Sequence, residues 1–260
     1  MFNQSAWVTK KVVKRTIVVR RRSKQGSKHL NRTSEKLTTP AAPDSHPTLS
    51  LQLAKGIAKR IIEGHYKPGL SLREIPLAEE FGVSRTSLRE ALRMLERDGV
   101  VRIEPRRGAS VTRLSTDELV EIYQVRAALL GLAMSMFCAT CHDRDVEWLH
   151  ERLIAINSIV QADQNRAAMQ HADISAQMAR YIYSRSGNGL LIQMLSKMSS
   201  QIARYTLVGL SASQRRSESN ATWTQLLKAI DARDGQAAER YGRQLVRDTL
   251  RFALARLSGD

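Results

Sequence analysis

The chain has 260 residues, 42% hydrophobic but only 5% aromatic, with a formal charge of +16 from 41 Lys and Arg against 25 Asp and Glu. That length allows one large domain or two ordinary ones, with a core built mainly from aliphatic side chains. Fourteen Gly, six Pro and two Cys exclude collagen-like and disulfide-framework classes, and no run approaches 18 uninterrupted apolar residues, which argues against a membrane span.

The charge is graded along the chain. Residues 1–46 carry 11 basic and 2 acidic side chains, residues 47–114 carry 13 and 8, and residues 115–260 carry 17 and 15. A strongly basic arm thus leads into a basic segment and then a nearly neutral body, the pattern of a polyanion-binding front end on a globular back end.

The arm holds the clusters Lys10-Lys11, Lys14-Arg15 and Arg20-Arg21-Arg22 and passes into a Ser/Thr/Pro/Ala-rich linker from Thr33 to Pro47. It lacks the apolar run of a secretory signal. A disordered arm, a translation start placed too early, an organellar transit peptide and an arm that contacts DNA phosphates all fit this composition.

From Leu51 the periodicity becomes helical. Leu53, Ala54, Ile57, Ala58 and Ile61 form one stripe, ended by Gly64 and a Pro68-Gly69 turn. A second helix is expected to be capped by Ser71, with Glu74 in the capping-box position and Leu77, Ala78 and Phe81 inward. Gly82 ends it. Ser84 then caps a third helix whose core face is Leu88, Ala91, Leu92 and Leu95.

Val100–Ile103 and Ala109–Val111 are short strands joined by Glu104-Pro105-Arg106-Arg107-Gly108. Three short helices followed by a hairpin with a basic tip predict a winged helix-turn-helix over 47–114.

Ser115-Thr116-Asp117-Glu118 has the S-x-x-E form of a capping box and opens a helical body over 115–260. Breakers near Cys141–Asp143, Gln161–Asn165, Ser186–Gly189, Gly209–Ser217 and Asp234-Gly235 divide it into about six helices. The predicted class is mainly α: a winged helix-turn-helix domain plus an all-α bundle.

The helix-turn-helix runs from about Glu74 to Arg93, and its third helix presents Ser84, Arg85, Thr86, Ser87 and Arg89. Arg85 and Arg89, four apart, share the face opposite the aliphatic stripe. The start of such a helix enters the major groove of DNA, where a guanidinium can donate two hydrogen bonds to guanine O6 and N7. Arg106, Arg107 and Gly108 at the hairpin tip would reach the flanking backbone or minor groove. For one helix alone, arginines that merely solvate an amphipathic face explain the pattern equally well. The tight turn, polar helix start and basic hairpin in succession favour the DNA reading.

The stretch Leu77-Ala78-Glu79-Glu80-Phe81-Gly82-Val83-Ser84-Arg85-Thr86-Ser87-Leu88-Arg89-Glu90-Ala91-Leu92 resembles the signature of the GntR family, LAexxGVSRTxxREAL. Leu95-Glu96-x-Asp98-Gly99-Val100 and Gly108-Ala109-x-Val111 continue it. Glu121-Ile122-Tyr123-x-Val125-Arg126-x-x-Leu129 is similar to the opening of the FCD type of effector domain, that of the FadR-like subfamily. The resemblance spans about residues 50–257. It implies a cytoplasmic bacterial transcription factor, more often a repressor. Such proteins bind palindromic double-stranded operators as homodimers and respond to a small organic acid or related metabolite.

The resemblance also implies a divalent metal held by one Asp and three His in many such domains. Here the motif positions read Asp173 and Gln177, then Trp223, then Leu245, so all three imidazoles are replaced. One carboxylate and one amide are too few donors for tight binding, so no metal or other cofactor is expected. Arg126, Asp173, Gln177, Arg180 and Arg204, with Trp223 and Tyr241 as aromatic walls, are then the candidate effector residues, a guanidinium suiting a carboxylate. A buried Arg126–Asp173 pair, with Trp223 filling the former metal cavity, is the structural alternative. His171, two residues from Asp173, is expected on another face.

Cys138-Ala139-Thr140-Cys141-His142 matches the haem-attachment pattern C-x-x-C-H, but attachment of that kind requires export, and ordinary core cysteines or a redox-responsive pair fit better. No phosphate loop, nucleophile elbow or zinc-protease motif occurs, so no catalytic residue and no enzyme activity are expected. Two other functions compete with the ligand-responsive regulator. One is a constitutive or architectural DNA binder with a degenerate pocket; the other is a metal- or redox-active helical protein.

Overall fold

The structure is a computed structural model that describes residues 48–159 and 164–258. The basic arm and its clusters lie outside the described residues.

The first domain starts with α1 (Leu49–Ile62), whose N-cap Thr48 accepts a hydrogen bond from the Leu51 amide at 3.3 Å. Its buried stripe is Leu53, Ala54, Ile57 and Ile61. α2 (Glu74–Phe81) ends at Gly82, whose φ of +62° is the left-handed conformation that a turn this tight needs. α3 (Arg85–Arg97) begins at Ser84, whose hydroxyl accepts from the Ser87 amide. Leu88, Ala91, Leu92 and Leu95 of α3 are buried against the α1 stripe and Leu77 and Ala78 of α2.

Three strands close this domain: β1 (Ser71–Leu72), β2 (Val101–Glu104) and β3 (Gly108–Val111), in the antiparallel order β1-β3-β2. Leu72 pairs with Ala109 and Val101 with Val111, so the hairpin's alternate residues Val101, Ala109 and Val111 enter the same core. Here one expectation is corrected. Ser71 does not cap α2 but pairs as a strand residue with Ser110, and the N-cap is Arg73, without a side-chain bond.

The helical body consists of α4 (Thr116–Thr140), α5 (Asp143–Ile159), α6 (Gln164–Ser184), α7 (Gly189–Gly209), α8 (Ser213–Asp231) and α9 (Gly235–Leu257). The Ser115 capping box forms: its hydroxyl accepts from the Glu118 amide, and the Glu118 carboxylate accepts from the Ser115 amide at 2.8 Å. The core gathers Leu119, Tyr123, Leu130, Met134 and Phe137 of α4 with side chains from all five other helices. α9 lies along α4. Gly131 and Gly242 allow that approach, since a Cβ on Gly242 would sit 2.7 Å from Met134 Cγ.

α4 is also the one described helix long and apolar enough to cross a membrane by composition. It holds no unbroken apolar run of that length, because Glu121, Gln124 and Arg126 interrupt its first half. Its inner face is protein core, and its outer face leaves Val125 and Leu132 46% and 43% exposed.

α7 joins the two domains. Tyr205 Oη accepts from the Leu114 amide at 3.2 Å, Gln201 packs on Gly99, and the Arg204 guanidinium approaches Gly64.

Candidate nucleic-acid interface and helical-domain site

The geometry of the first domain follows from which face of α3 is buried. With its aliphatic stripe against α1 and α2, the helix turns Arg85, Thr86 and Arg89 to solvent. Ser84 is exposed as the cap. Ser87 is half-buried, and its hydroxyl lies 3.0 Å from that of Ser84, so it closes the helix start.

Arg89 has a partner that neither periodicity nor motif reveals. Its Nε donates to both carboxylate oxygens of Glu74, at 2.8 and 3.0 Å. The first turn of α2 thereby holds the guanidinium while the rest of the group stays exposed. At the hairpin tip Arg106 has a φ of +67° and Gly108 of +79°, and both are exposed. Arg107 is exposed as well, with Nη1 3.4 Å from the Glu104 carboxylate. The domain therefore offers a polar helix start with two projecting guanidiniums, and a basic hairpin tip. Groups of this kind suit base edges and phosphates respectively.

In the helical body the structure does not gather the expected effector residues. Arg126 is turned inward, donates to Ser199 Oγ at 2.7 Å, and has its pKa lowered by burial. Asp173 is exposed and accepts from Gln177 Nε2 at 2.9 Å, and Arg180 is exposed too. The i, i+4, i+7 trio thus faces outward rather than lining one cavity, and no Arg126–Asp173 pair forms. Arg204 sits at the junction with the first domain, its Nη1 buried without an acceptor among the described residues. Trp223 and Leu245 are buried core residues, and Tyr241 packs half-buried against the same core.

The inward polar group of α6 is His171. The helix buries Ala167, Ala168, Met178, Ala179 and Ile182, and His171 belongs to that stripe. Asp173, two residues and about 200° further round, must point away. His171 Nε2 lies 2.9 Å from Asn220 Oδ1, and Nδ1 is 3.4 Å from Ser175 Oγ. Burial is the main cause that pushes its pKa down to about 4, helped by the positive charges of Arg215 and Arg216.

Those two arginines, wholly buried in the first turns of α8, escaped sequence reasoning. They fall in the Gly209–Ser217 stretch that reads as a breaker, whereas α8 already begins at Ser213. The adjacent Arg-Arg doublet was the only available signal.

Among the described residues no three His, Cys, Asp or Glu side chains come close enough to hold a metal ion. His171 and Asn220 make an incomplete donor set for a divalent metal. Cys138 and Cys141 are free and buried, and burial raises both thiols, which disfavours the reactive thiolate. Arg233 Nη1 donates to the Cys141 carbonyl at 2.6 Å, a structural contact at the end of α4.

Comparison with known proteins covers both halves. The family model "Bacterial regulatory proteins, gntR family" matches residues 49–111, and the FCD domain model matches residues 121–248. The chain is 37% identical over 103 residues to the uncharacterized HTH-type transcriptional regulator YdhC of Bacillus subtilis (strain 168), 40% of this chain and 46% of that protein. It is 38% identical over 96 residues to the gluconate operon transcriptional repressor of the same organism, 37% of this chain and 39% of the relative. The alignments with these two curated relatives thus span less than half of their length. Among solved structures, Escherichia coli McbR/YncC superposes with a TM-score of 0.67 at 23% identity, over 81% of this chain and 99% of that one. A putative GntR regulator from Rhodococcus sp. RHA1 gives 0.65 at 18% identity, over 79% and 97%. At these identities the likeness concerns the fold.

Proposed function

The chain belongs to the gntR family of bacterial regulatory proteins and carries an FCD domain, and from that premise we propose that it is a cytoplasmic transcriptional regulator binding a palindromic operator as a homodimer. The observation that carries this reading is the exposed start of α3, where Arg85 and Arg89 project and Glu74 fixes Arg89. A guanidinium held at Nε keeps its Nη edge free to donate to a guanine. The hairpin tip, Arg106 to Gly108, supplies backbone contacts, which set register without reading sequence.

The outer face of α4 supplies a place for the second copy. Val125 and Leu132 lie on it with Ala128 between, all exposed. A twofold contact buries the same strip on both chains, and this removes an apolar patch from water.

The FCD domain takes a small-molecule effector without a resident metal, and the effector acts by preferring one dimer geometry, so its influence on DNA equals its differential binding energy. Repression is the sign we propose. Metal analysis of the purified chain near one equivalent would contradict the metal-free reading.

The test is footprinting and fluorescence anisotropy on the duplex beside the chain's own gene, at stated salt. Binding there should be about 1,000-fold or more tighter than to a scrambled duplex. Equal affinity for both would sink the reading. Lowered transcription from that duplex on adding the protein would support repression, and raised transcription would reverse the sign.

A further inference from the structure

The first turns of α8 bury two positive charges that form no ion pair with an acid among the described residues. Arg215 and Arg216 are fully enclosed. Arg215 Nη2 donates to the Leu245 carbonyl at 3.4 Å and to Thr249 Oγ1 at 3.2 Å. Arg216 Nη1 donates to the carbonyls of Leu210 and Ser211, at 3.1 and 2.7 Å. Nε and Nη1 of Arg215, and Nε and Nη2 of Arg216, have no acceptor among the described residues.

Neighbouring acids do not fill the gap. Glu218 and Asp248 act on Arg215 only at a distance, and their carboxylates lie 3.8 and 3.6 Å from Arg251. Nor does the helix terminus help, since the N-cap Ala212 has no side-chain oxygen and α8 directs its positive end to the same region. Buried polar groups are almost always paired, and a buried charge without a counter-charge is strongly unfavourable. The deficit is therefore two buried guanidiniums with four unpartnered nitrogens, which carry six N–H donors.

The surroundings suit a ligand. Arg216, Asn220 and Trp223 stand at i, i+4 and i+7, on one side of α8. His171 bonds to Asn220 and is held neutral, so it adds no third charge.

We infer that Arg215 and Arg216 form the anion site of the helical domain, their unpartnered N–H groups taking the oxyanion of a small organic effector beside Asn220 and Trp223. Carboxylate and phosphate share the chemistry required, acceptor oxygens spaced to match planar guanidinium donors. The inference rests on the proposed effector response and gives that response a location and a ligand class.

The test is thermal unfolding of the full chain in sodium chloride, acetate, succinate, citrate or inorganic phosphate at matched ionic strength and pH. At least one oxyanion should raise Tm saturably, by about 5–10 °C at a hundredfold excess over its Kd. A shift with carboxylates alone assigns that class, and a shift with phosphate alone assigns the other. Arg216→Met should abolish the shift, and without added anion it should unfold no lower than the wild type, because an unanswered buried charge has gone. Arg216→Lys keeps the charge but loses the planar fork. It should retain only a fraction of the shift, and it supplies the result if the methionine variant does not fold. Arg247→Met, an exposed arginine on α9, is the control and should keep the whole shift.

No oxyanion exceeding chloride, or an undiminished shift in the Arg216 variants, overturns the inference. So does a large Tm loss in Arg216→Met alongside a retained shift, which makes the arginine a structural prop. Binding of wild-type protein to the duplex beside its gene is measured separately, so a failure there removes the regulator reading and leaves the thermal result standing.

Discussion

Glu74 and Arg89, fifteen residues apart in sequence, meet so that the arginine's Nε donates to both carboxylate oxygens, at 2.8 and 3.0 Å. The pair joins the first turn of α2 to the exposed side of α3. It neutralises part of a charge that the sequence offers to DNA, and it aims the remaining guanidinium edge. An exposed pair of this kind contributes little to stability, so its significance lies in orientation.

Arg89→Ala is expected to cost about 1–3 kcal/mol on the preferred duplex and to flatten discrimination among operator variants. Glu74→Gln releases the guanidinium without removing it. Affinity for random duplex should then rise while preference among variants falls, and anisotropy titrations on both duplexes check this. Equal weakening of Arg89→Ala on preferred and random DNA would reduce the arginine to a phosphate contact.

The basic arm makes a separate prediction through salt. Every phosphate that a bound protein neutralises adds about 0.9 to the steepness of log K against log salt. Deleting residues 1–46, which carry 11 Lys and Arg, should make that slope shallower. An unchanged slope makes the arm a bystander in DNA binding.

The outer face of α4 gives a test of assembly. Leu132→Glu, or Val125→Glu, places a carboxylate on the exposed apolar strip. Light scattering after gel filtration should show the mass falling from two chains to one, with operator affinity falling alongside. A mass that stays at two chains would place the contact elsewhere.

His171 makes stability depend on pH. Its pKa is about 4 in the folded chain, below the ordinary histidine value of 6.5. The unfolded chain thus binds the proton more readily between these values, so acid favours unfolding. The stabilisation is complete above pH 6.5, declines as pH falls, and is gone near pH 4, for a total of about 3 kcal/mol. Urea unfolding at pH 7 and pH 5 should reveal the loss, and His171→Gln should flatten it. A variant with the wild-type slope would assign the dependence to other groups. A bound anion beside Arg215 and Arg216 would weaken their push on the imidazole and raise its pKa.

The sequence by itself determined what depends on neighbours one or two turns apart. Ser84 and Ser115 bond to amides three residues on, Gly82 occupies a positive-φ turn, and the stripes of α1 and α3 bury the face that their spacing marks. The order of elements, and hence the winged domain and six-helix body, follows from such local signals. Ser71 departs from that pattern, because strand pairing opposite Ser110, next to the hydrogen bond from the Val111 amide to the Leu70 carbonyl, outcompeted a local cap.

Tertiary structure alone decided what depends on distant partners. Asp173 and His171 stand two residues apart on one helix, yet only packing against α8 selects which of them is interior. Arg215 and Arg216 sit in a serine-rich stretch that looks like a turn. Their burial is set by Leu245, Thr249 and Leu210, brought together from other segments. The physical reason is that desolvation and charge pairing are properties of an enclosed volume, and no short window of sequence contains that volume.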